Sequence, residues 1–138
     1  MSSFELESFA HDFVRALNAQ DIGALGRMYS VADEDWPAWE RSLRIFYQAF
    51  PDYRADVEKV VAGTDAVAFF LRCTGTHSAE YPAAELAGIP PTGRKVTWHE
   101  ANYVVLREGR VVHTGMVISG VERLQQLGVL PTPARTAP

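Results

Sequence analysis

KVTWHEANYVVLREGRVVHTGMVISGVERLQQLG, residues 95–128, decides the fold class. Apolar and β-branched residues alternate with polar ones on both sides of Glu108-Gly109. That is the pattern of two long antiparallel strands, 95–107 and 110–119, closed by a tight turn. A short amphipathic helix, 120–127, follows and stops at Gly128, since glycine accepts the left-handed conformation that ends helices. His99, Glu100 and His113 sit inside these otherwise apolar strands. They are either cross-strand surface pairs or the lining of a pocket.

The period of two extends back to Tyr53. Ala55, Val57, Lys59 and Val61 alternate with Asp56, Glu58 and Val60. Gly63-Thr64-Asp65 makes a turn, and residues 66–77 are apolar enough for a central strand. Residues 78–93 are irregular, with Pro82, Gly88, Pro90, Pro91 and Gly93, and at that length predict a functional flap. Before Pro51 the period is 3.6. Ser2 and Glu5 have capping-box spacing ahead of Leu6, Phe9, Phe13 and Leu17, which predicts a helix over 3–19. Asp21 caps a short second helix carrying Ile22, Leu25, Met28 and Tyr29. A third helix, 36–50, starts at Asp35 with Pro37 in its first turn and repeats Trp39, Leu43, Phe46 and Phe50. Helices followed by at least four antiparallel strands make an α+β domain. A highly curved sheet wrapped around the helices would leave a cone-shaped cavity.

Composition narrows the function classes. The 138 residues suit one domain, placed at 1–130, with PTPARTAP (131–138) as a disordered tail. A net charge of −4 argues against nucleic acid or anionic membrane as partner, because both need a basic face. The acidic opening MSSFELESF lacks the blocks of a signal peptide, and a lone cysteine, Cys73, fits a reducing compartment, so the expected location is the cytoplasm. Within its apolar strand Cys73 reads as a buried structural thiol.

Phe50-Pro51-Asp52, Gly75-Thr76-His77, Pro91-Thr92-Gly93-Arg94, Glu108-Gly109-Arg110-Val111 and Leu124-Gln125-Gln126-Leu127-Gly128 follow one another in register. In that order and spacing the sequence resembles the SnoaL-like polyketide cyclases of the nuclear-transport-factor-2-like superfamily. The resemblance covers 50–128. It implies a cone-shaped α+β barrel, a deep apolar pocket, homodimers through the outer sheet face, and no metal or organic cofactor. It also exposes departures. The position of the aldol cyclases' acid/base Asp, counted from Gly109, is Ser119, whose hydroxyl has no useful pKa near neutrality. The related isomerases' oxyanion Tyr corresponds to Phe13 and their protonated Asp to Asn102, which can still donate a hydrogen bond. Asp33 and Asp35 lie near the isomerases' general-base loop.

Strand periodicity puts Trp98, Glu100, Asn102, Val104 and Leu106 on one face and Thr97, His99, Ala101, Tyr103 and Val105 on the other. The resemblance places position 102 inward, and Trp98 and Glu100 with it. A two-residue turn sets Val104 opposite His113 and Trp98 opposite Ser119. A three-residue turn with a glycine bulge slips the register and moves His113 to the other face. Glu100 is then a pocket carboxylate, its pKa raised by desolvation, or a sheet-edge Glu paired with a cation. Asn102 orients a carbonyl or satisfies backbone. His77 is a lid residue or a turn cap, and His99 lies outside. Phe13, Trp36, Trp39, Tyr47 and Trp98 are core and pocket wall at once, with Trp36 and Trp39 at the rim.

With these residues, the resemblance implies a cyclase-like enzyme that closes a ring in a large apolar natural-product intermediate. Catalysis would come from preorganising the substrate, with Glu100, Asn102, His113 and Ser119 as the polar set. Holding reacting carbons together can supply roughly 7–11 kcal/mol. The alternatives are acid/base isomerisation or epoxide opening on Glu100, Asp33 or Asp35, and a non-catalytic ligand-binding module.

Overall fold

The chain enters its first helix through reciprocal caps: Glu5 N–H donates to Ser2 Oγ (3.1 Å) and Ser2 N–H to Glu5 Oε1 (3.2 Å). α1 (Ser3–Asn18) then buries Leu6, Ala10, Phe13, Val14 and Leu17 on one stripe. The larger of these, Leu6, Phe13, Val14 and Leu17, each stabilise the fold by about 1.5–3 kcal/mol when fully buried. Asp21 caps α2 (Ile22–Met28) by accepting from Ala24 N–H at 2.9 Å. α3 (Trp36–Ala49) has Pro37 in its first turn. This computed structural model describes residues 1–30 and 35–132. Asp33 and most of the expected tail lie outside the described residues.

Four strands follow, β1 (Arg54–Ala62), β2 (Ala66–Thr76), β3 (Lys95–Arg107) and β4 (Arg110–Ile118), and pair antiparallel in the order β1-β2-β3-β4. A short 3-10 turn (Ala84–Leu86) lies in the β2–β3 connection, and α4 (Gly120–Gln126) closes the fold. Among the described residues no helix is long and apolar enough to cross a membrane.

Two bulges correct the simple alternation. In β1 the register shifts between Val57 and Lys59, so Val60 turns to the half-buried side and Val61 is exposed. In the β3–β4 hairpin Glu108 (φ 52°) and Gly109 (φ 76°) form a two-residue turn with both residues left-handed, matching strand twist. Arg107 pairs with Arg110 and Leu106 with Val111, but Val105 pairs with His113. The turn is that of the first alternative and the register beyond it that of the second, because Val112 is the extra residue. His113, Gly115 and Val117 therefore share the outer face with Val105, Tyr103 and Ala101, while Thr114, Met116 and Ile118 turn inward opposite Val104, Asn102 and Glu100.

α1 is tied to the sheet by Asn18, whose amide accepts from Ala55 N–H (2.7 Å) and donates to Ala55 C=O (2.9 Å). α3 packs on α2 but its backbone stands off from the sheet, and the space between is a cavity. The flap is anchored at both ends. Asp52 accepts from Thr76 N–H and Oγ1 at 2.7 Å, and holding both bonds keeps its carboxyl below the usual range. His77, fully buried, takes the Thr92 N–H on Nδ1 at 3.2 Å. Leu86 at the flap centre is also fully buried.

Candidate active site

The cavity, about 390 Å³, is walled by Phe13 and Leu17 of α1, Trp39, Leu43, Phe46 and Tyr47 of α3, and the inward residues of the sheet. Tyr81 and Ala84 of the flap and Arg123 of α4 complete it, and Met116 and Thr114 mark the exposed edge at β4. Its aromatics are interlocked: Phe13 stacks on Trp39 with ring centres 5.9 Å apart, and Phe46 meets Tyr81 edge-on at 5.6 Å. Contacts of this kind fix the shape of the wall before any ligand enters.

On β3 the apolar wall is interrupted by a polar spot. Glu100 is 9% exposed and accepts three hydrogen bonds, from Trp98 Nε1–H (2.8 Å), Cys73 Sγ–H (3.4 Å) and Asn102 Nδ2–H (3.4 Å). Its negative charge acts on its neighbours. Burial raises the Tyr53 phenol well above its ordinary pKa, and the Glu100 charge raises it further. The same two causes, in the same order, raise the Cys73 thiol, so Cys73 is an inert donor here. Burial alone pushes Tyr47 up to about 12, with its hydroxyl donating to Leu17 C=O at 2.8 Å.

A matching family model and a set of solved structures place this geometry. The SnoaL-like polyketide cyclase model matches residues 37–127, well over half of the chain. The chain belongs to the SnoaL-like polyketide cyclase family. AclR of Streptomyces galilaeus, a candidate hydroxylase, superposes with TM-score 0.83 at 27% identity, over 97% of this chain and 87% of its own. IdmH of Streptomyces antibioticus, a candidate polyketide cyclase, gives 0.75 at 26%, over 89% and 98%. TsrD of Streptomyces laurentii gives 0.79 at 17%, over 94% and 99%, a likeness of fold alone. No curated protein matches the sequence.

In this SnoaL-like domain Glu100, Asn102, Phe13, Trp39 and Tyr47 come together on the cavity wall. Four other candidates are placed elsewhere. His113 is on the outer face, its Nε2 3.1 Å from the Tyr103 hydroxyl, because the Val112 bulge turned it there. Ser119 precedes α4, donates its N–H to His99 C=O (3.0 Å) and is absent from the lining. Ile118 is the inward residue at that end of β4. Trp36 packs on Tyr29 and Trp39 behind the rim, and Trp98 is fully buried behind Glu100. Asp35 borders a smaller adjoining hollow with Ser42 and His113. Among the described residues no group of three or more His, Cys, Asp or Glu side chains could hold a metal ion.

Sequence reasoning missed Tyr53, Tyr81 and Arg123. Arg123 is 1% exposed, ion-paired to Glu85 and stacked 5.2 Å from the centre of the Trp98 ring. Its signal was present: it lies four residues before the buried Leu127, on the same face of α4.

Proposed function

We propose that this SnoaL-like domain closes a ring in a large apolar polyketide-type intermediate by holding it in a reactive fold. The observation behind this reading is the wall itself: an aromatic cavity of about 390 Å³, rigidly packed, with Glu100 and Asn102 as its polar spot on β3. The inward position at the end of β4 is the inert Ile118. Closure within a folded polyene forms a carbon–carbon bond by rearranging π electrons, so it needs no base and no co-reactant. Asn102, steadied by Glu100, donates its remaining N–H to a substrate oxygen. IdmH, a candidate polyketide cyclase at 26% identity, supports polyketide chemistry as the setting.

Glu100 lines the cavity, which favours acid/base isomerisation as a second reading. The test is turnover of a linear polyene-polyketone to an isomer of equal mass, followed across pH. A flat profile supports closure by shape. A profile following one ionisation that Glu100→Gln abolishes supports acid/base work. Tight binding of apolar ligands with no turnover leaves a carrier.

The outer sheet face is the proposed homodimer surface. Val61, Phe70, Tyr103 and Val117 are 49%, 40%, 41% and 72% exposed there.

A further inference from the structure

We propose that Arg123 is a second polar contact for the substrate, one that selects an uncharged carbonyl oxygen at the α4 end of the cavity. The inference deepens the cyclase reading above and rests on it for the site, though not for the reaction.

Arg123 reaches the cavity from α4, across from the flap. Only its Nη2 is engaged, by the Glu85 carboxylate of the 3-10 turn. Its Nε and Nη1 are buried and have no hydrogen-bond partner among the described residues. Unmet donors on a buried cation are costly, so a group that supplies lone pairs there is favoured over an apolar one. The planar side chain is held in place by the Trp98 ring beneath it and Glu85 beside it, so little entropy is lost when it binds.

Charge decides which acceptor fits. The Tyr81 phenol at this end senses the charges of Arg123, Glu85 and Glu100 together. One cation already faces two carboxylates. A carboxylate ligand would be a third anion in a low-dielectric site and would be repelled by both. A ketone or enone oxygen accepts from the unpartnered N–H groups without adding charge. Bound there, it lets the guanidinium draw electron density toward oxygen from the conjugated chain, which suits closure onto an electron-poor double bond. No bond to the protein forms.

The test uses three probes of one shape: 2-acetylnaphthalene, 2-ethylnaphthalene and 2-naphthoate. Affinities are read from tryptophan fluorescence on the wild-type protein and on Arg123→Met/Glu85→Gln, which removes the ion pair as a unit. The wild type should bind the ketone at least tenfold tighter than the hydrocarbon and the carboxylate. The double variant should lose that preference to within twofold while binding the hydrocarbon as before. A ¹⁵N spectrum of the wild type gives a readout that survives if the variant does not fold. The Arg123 Nε–H signal, identified by its loss in Arg123→Lys, should move with the ketone and stay with the hydrocarbon. Equal affinity for ketone and hydrocarbon, a preference that persists in the double variant, tightest binding of the carboxylate, or binding of none of the three overturns the proposal. Ketone selectivity without any turnover keeps it and removes the cyclase reading instead.

Discussion

Trp98 donates its indole N–H to Glu100 Oε2 at 2.8 Å, from a ring that is fully buried. The pair is two residues apart on the inward face of β3, and the Arg123 guanidinium lies over the same ring, 5.2 Å from its centre. Trp98 thus touches both the Glu100 carboxylate and the Arg123 guanidinium. Removing the donor leaves a buried carboxylate short of a partner. Trp98→Phe should cost about 2–4 kcal/mol, from a charge-assisted hydrogen bond plus the smaller ring. Half-buried Trp36 gives the control, since Trp36→Phe removes no Glu100 contact. Denaturant midpoints of the two variants check this, and equal losses would mean the N–H bond contributes little.

Asn102 tests which face of β3 meets the substrate. Asn102→Ala deletes the donor but leaves Glu100 its Trp98 and Cys73 bonds. One lost hydrogen bond to a substrate oxygen should lower kcat/KM about tenfold, near 1–1.5 kcal/mol, with no change in pH profile. Glu100→Gln should also lower it, by loosening Asn102. Unchanged rates in both variants would move the reacting end of the substrate away from this spot.

The contrast between Val111 and His113 shows how far the sequence could be read. Alternation and turn chemistry correctly placed four antiparallel strands, a turn at Glu108-Gly109 and the helices before them, because each element has its own period, while the length of the turn stayed open between two residues and three. A single extra residue, Val112, then moved His113 and Ser119 off the inner face. Bulges leave no periodic mark, since the alternation looks continuous on either side of them. The same applies to Val60 and Val61 in β1. Glu100 and Asn102 were legible because they precede the bulge on a strand whose face was already fixed. Arg123 was overlooked for a different reason: arginine is rarely fully buried, and only its ion pair with Glu85, far off in sequence, makes that possible.

His77 gives the fold a pH-dependent component. Its buried ring accepts the Thr92 N–H on Nδ1, and burial holds its pKa below the ordinary value. With the folded pKa depressed, the unfolded chain takes up the proton first. The contribution of neutral His77 is therefore complete above the unfolded value of about 6.5 and is lost as pH falls toward the folded value. His77→Phe keeps a ring against Phe50 but cannot titrate. Urea midpoints at pH 7.5 and 5.5 should fall more for the wild type than for the variant. A larger fall in the variant would reverse the sign.

Gly75 and Gly115 present the same crowding with opposite consequences. A Cβ on Gly75 would lie 2.9 Å from Phe50 Cδ1 and 3.1 Å from Phe50 Cβ. Phe50 is fully buried and packed against Trp98, so it cannot yield, and Gly75→Ala should cost about 1–3 kcal/mol. A Cβ on Gly115 would overlap the Tyr103 ring, but that ring is on the open outer face and can swing into solvent. Gly115→Ala should cost under about 1 kcal/mol and break the Tyr103–His113 hydrogen bond. Thermal melts of the two variants rank them, and equal losses would mean Tyr103 is as fixed as Phe50.

Phe70 and Val117 decide whether the outer face joins two copies. They flank Ala101 across three adjacent strands, Phe70 on β2 and Val117 on edge strand β4, and both are exposed. Apolar side chains aligned across strands form a flat patch, which suits a second copy of the same sheet because a two-fold interface needs only self-complementarity. A lysine at either centre would be buried against its own copy and repelled by it. Phe70→Lys and Val117→Lys should therefore give monomers by light scattering, while the wild type runs as a dimer at micromolar concentration. Both residues point away from the cavity, so ligand affinity in the monomers should stay within about twofold, as expected for sites without shared partners. A wild-type monomer, or variants that remain dimeric, would place the interface elsewhere.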